Sequence, residues 1–427
     1  MMKIKHYDAY QETMVSFKLH DRLDTLIIKK PGFSKTYVTI TAPIGGINHS
    51  YQYQGKTINT EPGIAHFLEH KIFEQDGEDI SRLFAKDEAQ VNAFTEYDRT
   101  TYVFYATKTT HNHIKRLVDM FFYPVFTDEG VTKEKNIIQE ELNMHLDDPY
   151  YQEYQTLLNQ MFHTHPIKED ILGTKDSINN ITAQALEAMH KAYYKPETAR
   201  LIIIGDVDEQ TIKTHLEDTI TLPAHNDYAP QKTQFNEPPY VSKSKNTLYL
   251  DILMPSVLVG IKVMPNEQDD FQTQLKNQLI FSMGMSLLFG KSSDIYESLL
   301  NQNLVNDTYG IDINIETSYG YGLIGSETSQ PDTLAKTLTT ILETLYTYPL
   351  DHNDFIRAKK QMVGNFLMSL DNLEYLAHES SKYTNTEFNI YDLLTLAKTI
   401  TYQDIINWQA SIKKPMISTV IIKPKTD

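Results

Sequence analysis

Hydrophobic positions along this chain change period several times, and each change marks an element. The stretch "KTYVTITAPIGGIN" from Lys35 is β-branched and ends in paired glycines, which predicts a strand running into a turn. Pro62 and Gly63 punctuate the chain ahead of the amphipathic helical segment "IAHFLEHKIF". In "QVNAFTEYDRTTYVFYAT", apolar and aromatic residues alternate on either side of the polar turn Glu96–Arg99, the pattern of a β-hairpin. From His111 the spacing lengthens to helical period through "IKRLVDMFFYPVF". A further helix, "VTKEKNIIQEELNMHL", stops before Asp147, Asp148 and Pro149. "ARLIIIGDVD", from Ala199, reads as a short buried strand followed by an acidic turn.

Residues 223–244 are rich in proline and polar side chains and predict a linker between a first domain, 1–222, and a second, 245–427. Beyond it the pattern of the first half returns. Asp79-Ile80 has a counterpart in Asp294-Ile295, and Tyr123-Pro124 in Tyr348-Pro349. The elements predict an α+β chain of two homologous α/β domains, each an antiparallel-rich sheet packed with helices. The offset that aligns Asp79 with Asp294 carries His66, Glu69 and His70 onto Phe281, Gly284 and Met285. A purely structural need for the polar trio would have kept it in both copies.

Composition narrows the chemistry. The net charge of −17 over 427 residues repels phosphate backbones and anionic lipid, which argues against nucleic acid and mildly favours peptides with some positive charge. With no cysteine, a metal would have to be held by His, Asp or Glu. No apolar run approaches membrane-spanning length and the first residues lack the apolar core of a signal peptide, so the expected setting is cytoplasmic. "HNH" at His111–His113 lacks basic surroundings and reads as the start of an ordinary helix; "HTHP" at His163–Pro166 reads as a surface loop.

Against that background, His66 and His70 stand out. Residues four apart lie one above the other on a helix, so their imidazoles meet at one point, half of a tetrahedral zinc site. Glu69 sits on the edge of the pair, where it reaches a metal-bound water in preference to the metal. A third ligand is expected from the helix after Val131, on which Glu134, Ile137, Ile138, Glu141 and His145 share a face. Spacing leaves Glu134 and Glu141 both open, whereas Glu140, about 100° round the helix from Glu141, faces water.

"EPGIAHFLEHKIFE" resembles the inverted zinc-binding motif of the insulinase/pitrilysin metallopeptidases. Further likenesses follow in the same order: "NAFT" at Asn92–Thr95, glutamates seven apart in "EKNIIQEELNM", "GTKDSINNIT" from Gly173, and "YYKPETARLIIIGDVD". The likeness covers nearly all of the first half and, more loosely, the second. It is strongest to the bacterial half-size members, which are single subunits of two repeated α/β domains.

The resemblance implies that His66, His70 and Glu141 bind Zn2+, that Glu69 is the general base and that Glu134 supports the ligands from behind. It also implies that the strand carrying Asn92, Ala93 and Phe94 is the edge on which a peptide is laid. The implied activity is that of a zinc endopeptidase cleaving short or unfolded peptides in an enclosed chamber. A half-size chain would need a homologous subunit, in a homodimer or heterodimer, to close that chamber. In the second half the family typically carries an Arg and a Tyr that hold the substrate. Here Leu300 falls where that Arg would be, and Tyr309 is the candidate for the Tyr. The alternative is a non-catalytic scaffold or peptide-binding subunit of the same fold. A buried polar cluster costing several kcal/mol without a metal weighs against it.

Overall fold

The computed structural model describes residues 2–75, 78–107, 110–225, 229–233, 235–383, 386 and 388–425. The chain forms two compact units, each with its own apolar core. The first comprises Met1–Leu142, Asp170–Gln234 and Met368–Tyr391; the second comprises Asn143–Glu169, Phe235–Leu367 and Asp392–Asp427. No helix among the described residues is long and apolar enough to cross a membrane.

The first unit is built on a seven-stranded sheet in the order Lys3–Tyr7, Glu12–Leu19, Leu23–Lys29, Arg200–Gly205, Thr36–Ala42, Thr100–Ala106, Ala89–Thr95. Only Arg200–Gly205 and Leu23–Lys29 pair in parallel. All six residues of Arg200–Gly205 are buried. That is why this strand reads as an unbroken apolar run, as a strand covered on both faces must. The predicted hairpin is present, with Thr95 opposite Thr100 and Ala89 opposite Ala106.

The second unit repeats the last five strands of that order. Its sheet runs Lys245–Leu250, Ile417–Pro424, Ser256–Val263, Gly320–Glu327, Gly310–Ile315, and again only the first pair is parallel. The internal repeat inferred from the sequence is thus a repeat of sheet topology.

The contiguous halves 1–222 and 245–427 do not describe the units, because each unit includes a helix from the other half of the sequence. Pro149–Met161, capped by Asp148, lies in the second unit against Ser256–Val263 and Ile417–Pro424. Its approach is close: a Cβ on Gly260 would meet Met161 Sδ at 2.6 Å. Leu373–Ser381, capped by Asn372, lies in the first unit against Arg200–Gly205 and Thr36–Ala42, the topological equivalents of those two strands. The duplicated halves have therefore exchanged equivalent helices.

The stretch expected as a linker is only partly a spacer. Gln231–Lys232 pairs with Ser50–Tyr53 in the first unit. In the second unit the Glu237 side chain is fully buried against Lys262 at 2.5 Å and accepts from the backbone N–H groups of His163, Thr164 and His165. This lock also corrects the reading of "HTHP" as a surface loop, since His165 is buried and caps the turn that follows it. Burial alone would raise the Glu237 carboxyl, but the three backbone donors and Lys262 hold it down at about 2. Burial pulls Lys262 downward as well, yet the ionised Glu237 beside it keeps the pair charged.

Glu237→Gln leaves Lys262 buried without its counter-charge and is expected to cost about 3 kcal/mol in chemical denaturation, partly restored by adding Lys262→Met. A carboxyl depressed in the folded state stabilises above its unfolded pKa. This contribution should therefore be present above pH ~4.5 and fade as pH falls towards about 2, a slope that Glu237→Gln should remove.

Candidate metal centre

The helix Ile64–Ile72 enters the first unit through Gly63, whose φ of 89° is left-handed. A Cβ there would stand 2.4 Å from the Leu172 carbonyl oxygen, so both backbone conformation and space require glycine. Gly173 answers it from the other side, with φ 80° and the Pro62 carbonyl 2.4 Å from where its Cβ would be. The segments "EPG" and "LGT" are thereby pressed together, which fixes the start of the helix.

One turn further on, the His66 and His70 rings lie 4.6 Å apart. His66 is only 7% exposed and Glu69 only 8%. Facing them is the helix Asp128–Asp147, held by Ile138 and Leu142 in the core. Glu141 meets both histidines: His66 Nε2 is 3.7 Å from its Oε1 and His70 Nε2 is 3.4 Å from its Oε2. Glu134 takes the other side of His70, accepting from Nδ1–H at 3.0 Å. That bond fixes a proton on Nδ1 and turns Nε2, the nitrogen a metal would take, towards Glu141. Spacing alone left Glu134 and Glu141 open, and the geometry gives them different positions. Glu140 is exposed, as expected. Ile137 is not on the inward face: it is 44% exposed, because Ile138 and Leu142 form the packed stripe instead.

Donor atoms of His66, His70 and Glu141 all lie within 4.8 Å of one another, the one such group of three or more among the described residues. Two imidazole nitrogens and a carboxylate oxygen, with a carboxylate fixing one imidazole from behind, form a donor set that suits zinc and leaves a position open. Burial pulls His70 down, but hydrogen bonds to Glu134 and Glu141, with the charges of Glu69 and Glu134, carry it up to about 10 in the metal-free cluster. Burial raises the Glu69 carboxyl despite a hydrogen bond from Thr95.

The stretch "NAFT" ends in Thr95, to which sequence reasoning assigns no role. Its hydroxyl donates to Glu69 Oε2 at 2.6 Å, reaching across from the end of the Ala89–Thr95 strand. That strand ends the sheet, and no strand pairs with its outer side among the described residues. Asn92 is exposed, with Ala93 and Phe94 half-buried. Phe94 packs on His378, which donates to Glu96 at 3.0 Å. His378 belongs to the exchanged helix, and no local signal in the sequence pointed to it.

One expectation for the second unit changes. Tyr309 is a core residue, not a substrate contact: it is 3% exposed and its hydroxyl donates to the Phe289 carbonyl at 2.7 Å. Leu300 is exposed on the helix Asp294–Asn301. The helix Phe271–Phe289 carries buried Phe281 and Met285 where the first half has His66 and His70, and Gly284 lies against the Trp408 ring.

A duplicated α+β sheet fold with an inverted His-x-x-Glu-His helix and a glutamate from a second helix defines a class of metallopeptidase-like proteins. The family profile described as Insulinase (Peptidase family M16) matches residues 58–175, and that described as Peptidase M16 inactive domain matches 180–362. A relative named as the uncharacterized zinc protease YmfH of Bacillus subtilis is 32% identical over 431 residues, covering 100% of both chains. The chain belongs to the M16 peptidase family. Its fold also matches an M16-like peptidase from Alicyclobacillus acidocaldarius with a TM-score of 0.90 at 27% identity, covering 99% of each chain. The periplasmic protease PqqL of Escherichia coli has the same fold, with a TM-score of 0.74 at 16% identity over 99% of this chain and 48% of that one.

Gly63→Ala is expected to lower stability by about 2–3 kcal/mol, from positive-φ strain together with the clash at Leu172. Gly55→Ala, also at positive φ but with nothing within 4 Å of its Cβ, should cost only about 1 kcal/mol. Equal losses in urea titrations of the two variants would remove the packing argument for Gly63.

Proposed function

We propose that this protein is a zinc-dependent endopeptidase acting on short or unfolded peptides, in which His66, His70 and Glu141 hold the metal and Glu69 is the general base. The observation that carries this reading is the convergence of the three donor atoms within 4.8 Å beside a buried carboxylate. When bound in such a site, zinc brings the pKa of water towards about 7 and polarises a carbonyl. Glu69 receives the proton of the attacking water and passes it to the leaving amine, a relay suited to a carboxyl raised by burial. Thr95 occupies Oε2 of Glu69, which leaves Oε1 for the water. Glu134 orients His70. The peptide adds to the sheet along Ala89–Thr95, with Asn92, Ala93 and Phe94 supplying main-chain partners, so binding depends little on sequence.

In the same reading the chain works with a second homologous subunit, a copy of itself or a relative without the metal motif, which closes the chamber. Support comes from PqqL, of which this chain matches 48%, and from Leu300 and the buried Tyr309. Neither offers a substrate contact from this chain's own second half. The partner would then supply the missing cationic and hydroxyl groups.

The purified chain should carry about one zinc. His70→Ala should lose the metal, while Glu69→Gln should keep it and lose at least about 100-fold in peptide hydrolysis. Metal retention with wild-type hydrolysis in Glu69→Gln would remove the general-base role. In competition with a chelator, Glu141→Gln should weaken zinc binding far more than Glu140→Gln, and Glu134→Gln should weaken it by about 10–100-fold.

The need for a partner is tested by light scattering and peptide cleavage with the chain alone and with a homologous subunit. Cleavage is expected to rise on assembly and folded proteins to resist. A strict monomer that is fully active and degrades folded proteins would contradict it.

A further inference from the structure

Away from the metal cluster, the second unit contains a cavity of about 610 Å3 between the helix Pro149–Met161 and the sheet. Its shape follows from the sequence. Tyr150, Glu153 and Tyr154 fall on one helical face. Opposite them, the strand residues Ser256 and Leu258 pair with Glu327 and Gly325, and Gly325 pairs in turn with Gly310. A Cβ on Gly310 would meet nothing within 4 Å, so the missing side chain leaves open space. Leu258 and Leu323 supply the apolar wall.

Within this apolar setting sits one charge-capable group that fold stability does not explain. Glu153 is 4% exposed. Its Oε2 accepts from Ser256 Oγ at 2.9 Å, and its Oε1 has no partner among the described residues. Two further carboxylates line the same space, Asp312 and Glu327, the latter accepting from the Tyr150 hydroxyl. No lysine, arginine or histidine is among the lining residues. Burial pushes the Glu153 carboxyl up to about 8, with Ser256 opposing, so it is neutral at pH 7 until a cation arrives. Three carboxyl groups exclude an anion, and a purely apolar ligand would leave Oε1 unsatisfied.

We propose that this cavity is a binding site for an organic cation, an ammonium or guanidinium group on an apolar stem, with the charge seated on Glu153 and the stem along Leu258 and Leu323. The cation pairs with the buried carboxylate and the stem fills the space left at Gly310. The chemistry is shared by a basic side chain of a bound peptide and by a free alkylamine. The site is built from residues of the second unit alone and does not depend on metal at His66, His70 and Glu141.

The test is calorimetric titration of the full chain carrying Glu69→Gln, so that peptides are not consumed, at pH 7 in two buffers of different ionisation enthalpy. The probes are hexylamine against hexanol, and a capped Leu-Arg-Leu peptide against the same peptide with norleucine in place of arginine. Both cations are expected to bind at least about tenfold more tightly than their neutral counterparts and to release a proton to the buffer. Glu153→Gln, which keeps the shape and neutrality of the protonated side chain, should abolish that preference and the proton release. Gly310→Leu, which fills the cavity without touching Glu153, should block both cations. Tighter binding of the peptide than of hexylamine assigns the site to peptide side chains, and the reverse assigns it to free amines. Equal binding of hexanol and hexylamine, or unchanged cation affinity in Glu153→Gln, would overturn the proposal.

Discussion

The desolvation of His66, Glu69, His70, Glu134 and Glu141 sets the terms for the rest of the first unit. Ionisable groups taken out of water cost several kcal/mol each unless they are paired. Every one of these has a partner: Glu134 and Glu141 lie on either side of His70, Glu141 reaches His66, and Thr95 holds Glu69. The pairing needs three separate elements at fixed distances. This is why Gly63 and Gly173 are pressed together at the start of the motif helix, and why Ile138 and Leu142 seat the glutamate helix in the core. A metal at the converging donors would offset the remaining cost.

The second unit displays the same sheet without that constraint. Its equivalent helix is apolar at the three corresponding positions, and Gly284 gives way to Trp408 where the first half keeps a buried carboxylate. Relieved of the polar cluster, the repeat has been used in another way. The helix it received from the first half carries Glu153 into an apolar cavity, and the helix it gave away brings His378 beside Phe94 and Glu96. The exchange thus places residues from the far half of the sequence next to the edge strand of the first unit.

What could be read from the sequence was what is local. His66 and His70 are four apart on one helix, so their meeting follows from helical geometry, and the hairpin from Ala89 to Ala106 follows from alternation around Glu96–Arg99. The repeat was legible because dipeptides such as Asp79-Ile80 and Asp294-Ile295 recur. Contacts made across the fold were not. The different positions of Glu134 and Glu141 are visible only once His70 offers a nitrogen to each. Thr95 reaches Glu69 by way of a strand that is remote in sequence. An amphipathic pattern over Pro149–Met161 predicts a buried face and is silent about which sheet buries it. Tyr309 is a related case: its place in the family's pattern says nothing of the packing that buries it, with its hydroxyl donating to the Phe289 carbonyl.

The central claim is that His66, His70 and Glu141 form a zinc site on the first unit. Zinc-edge X-ray absorption of the purified chain tests it most directly. The account predicts two imidazole nitrogens and carboxylate or water oxygen at about 2.0–2.2 Å. It also predicts that one imidazole contribution is lost in any zinc retained by His66→Ala. A zinc signal with a single imidazole, or one unaltered in His66→Ala, would contradict it.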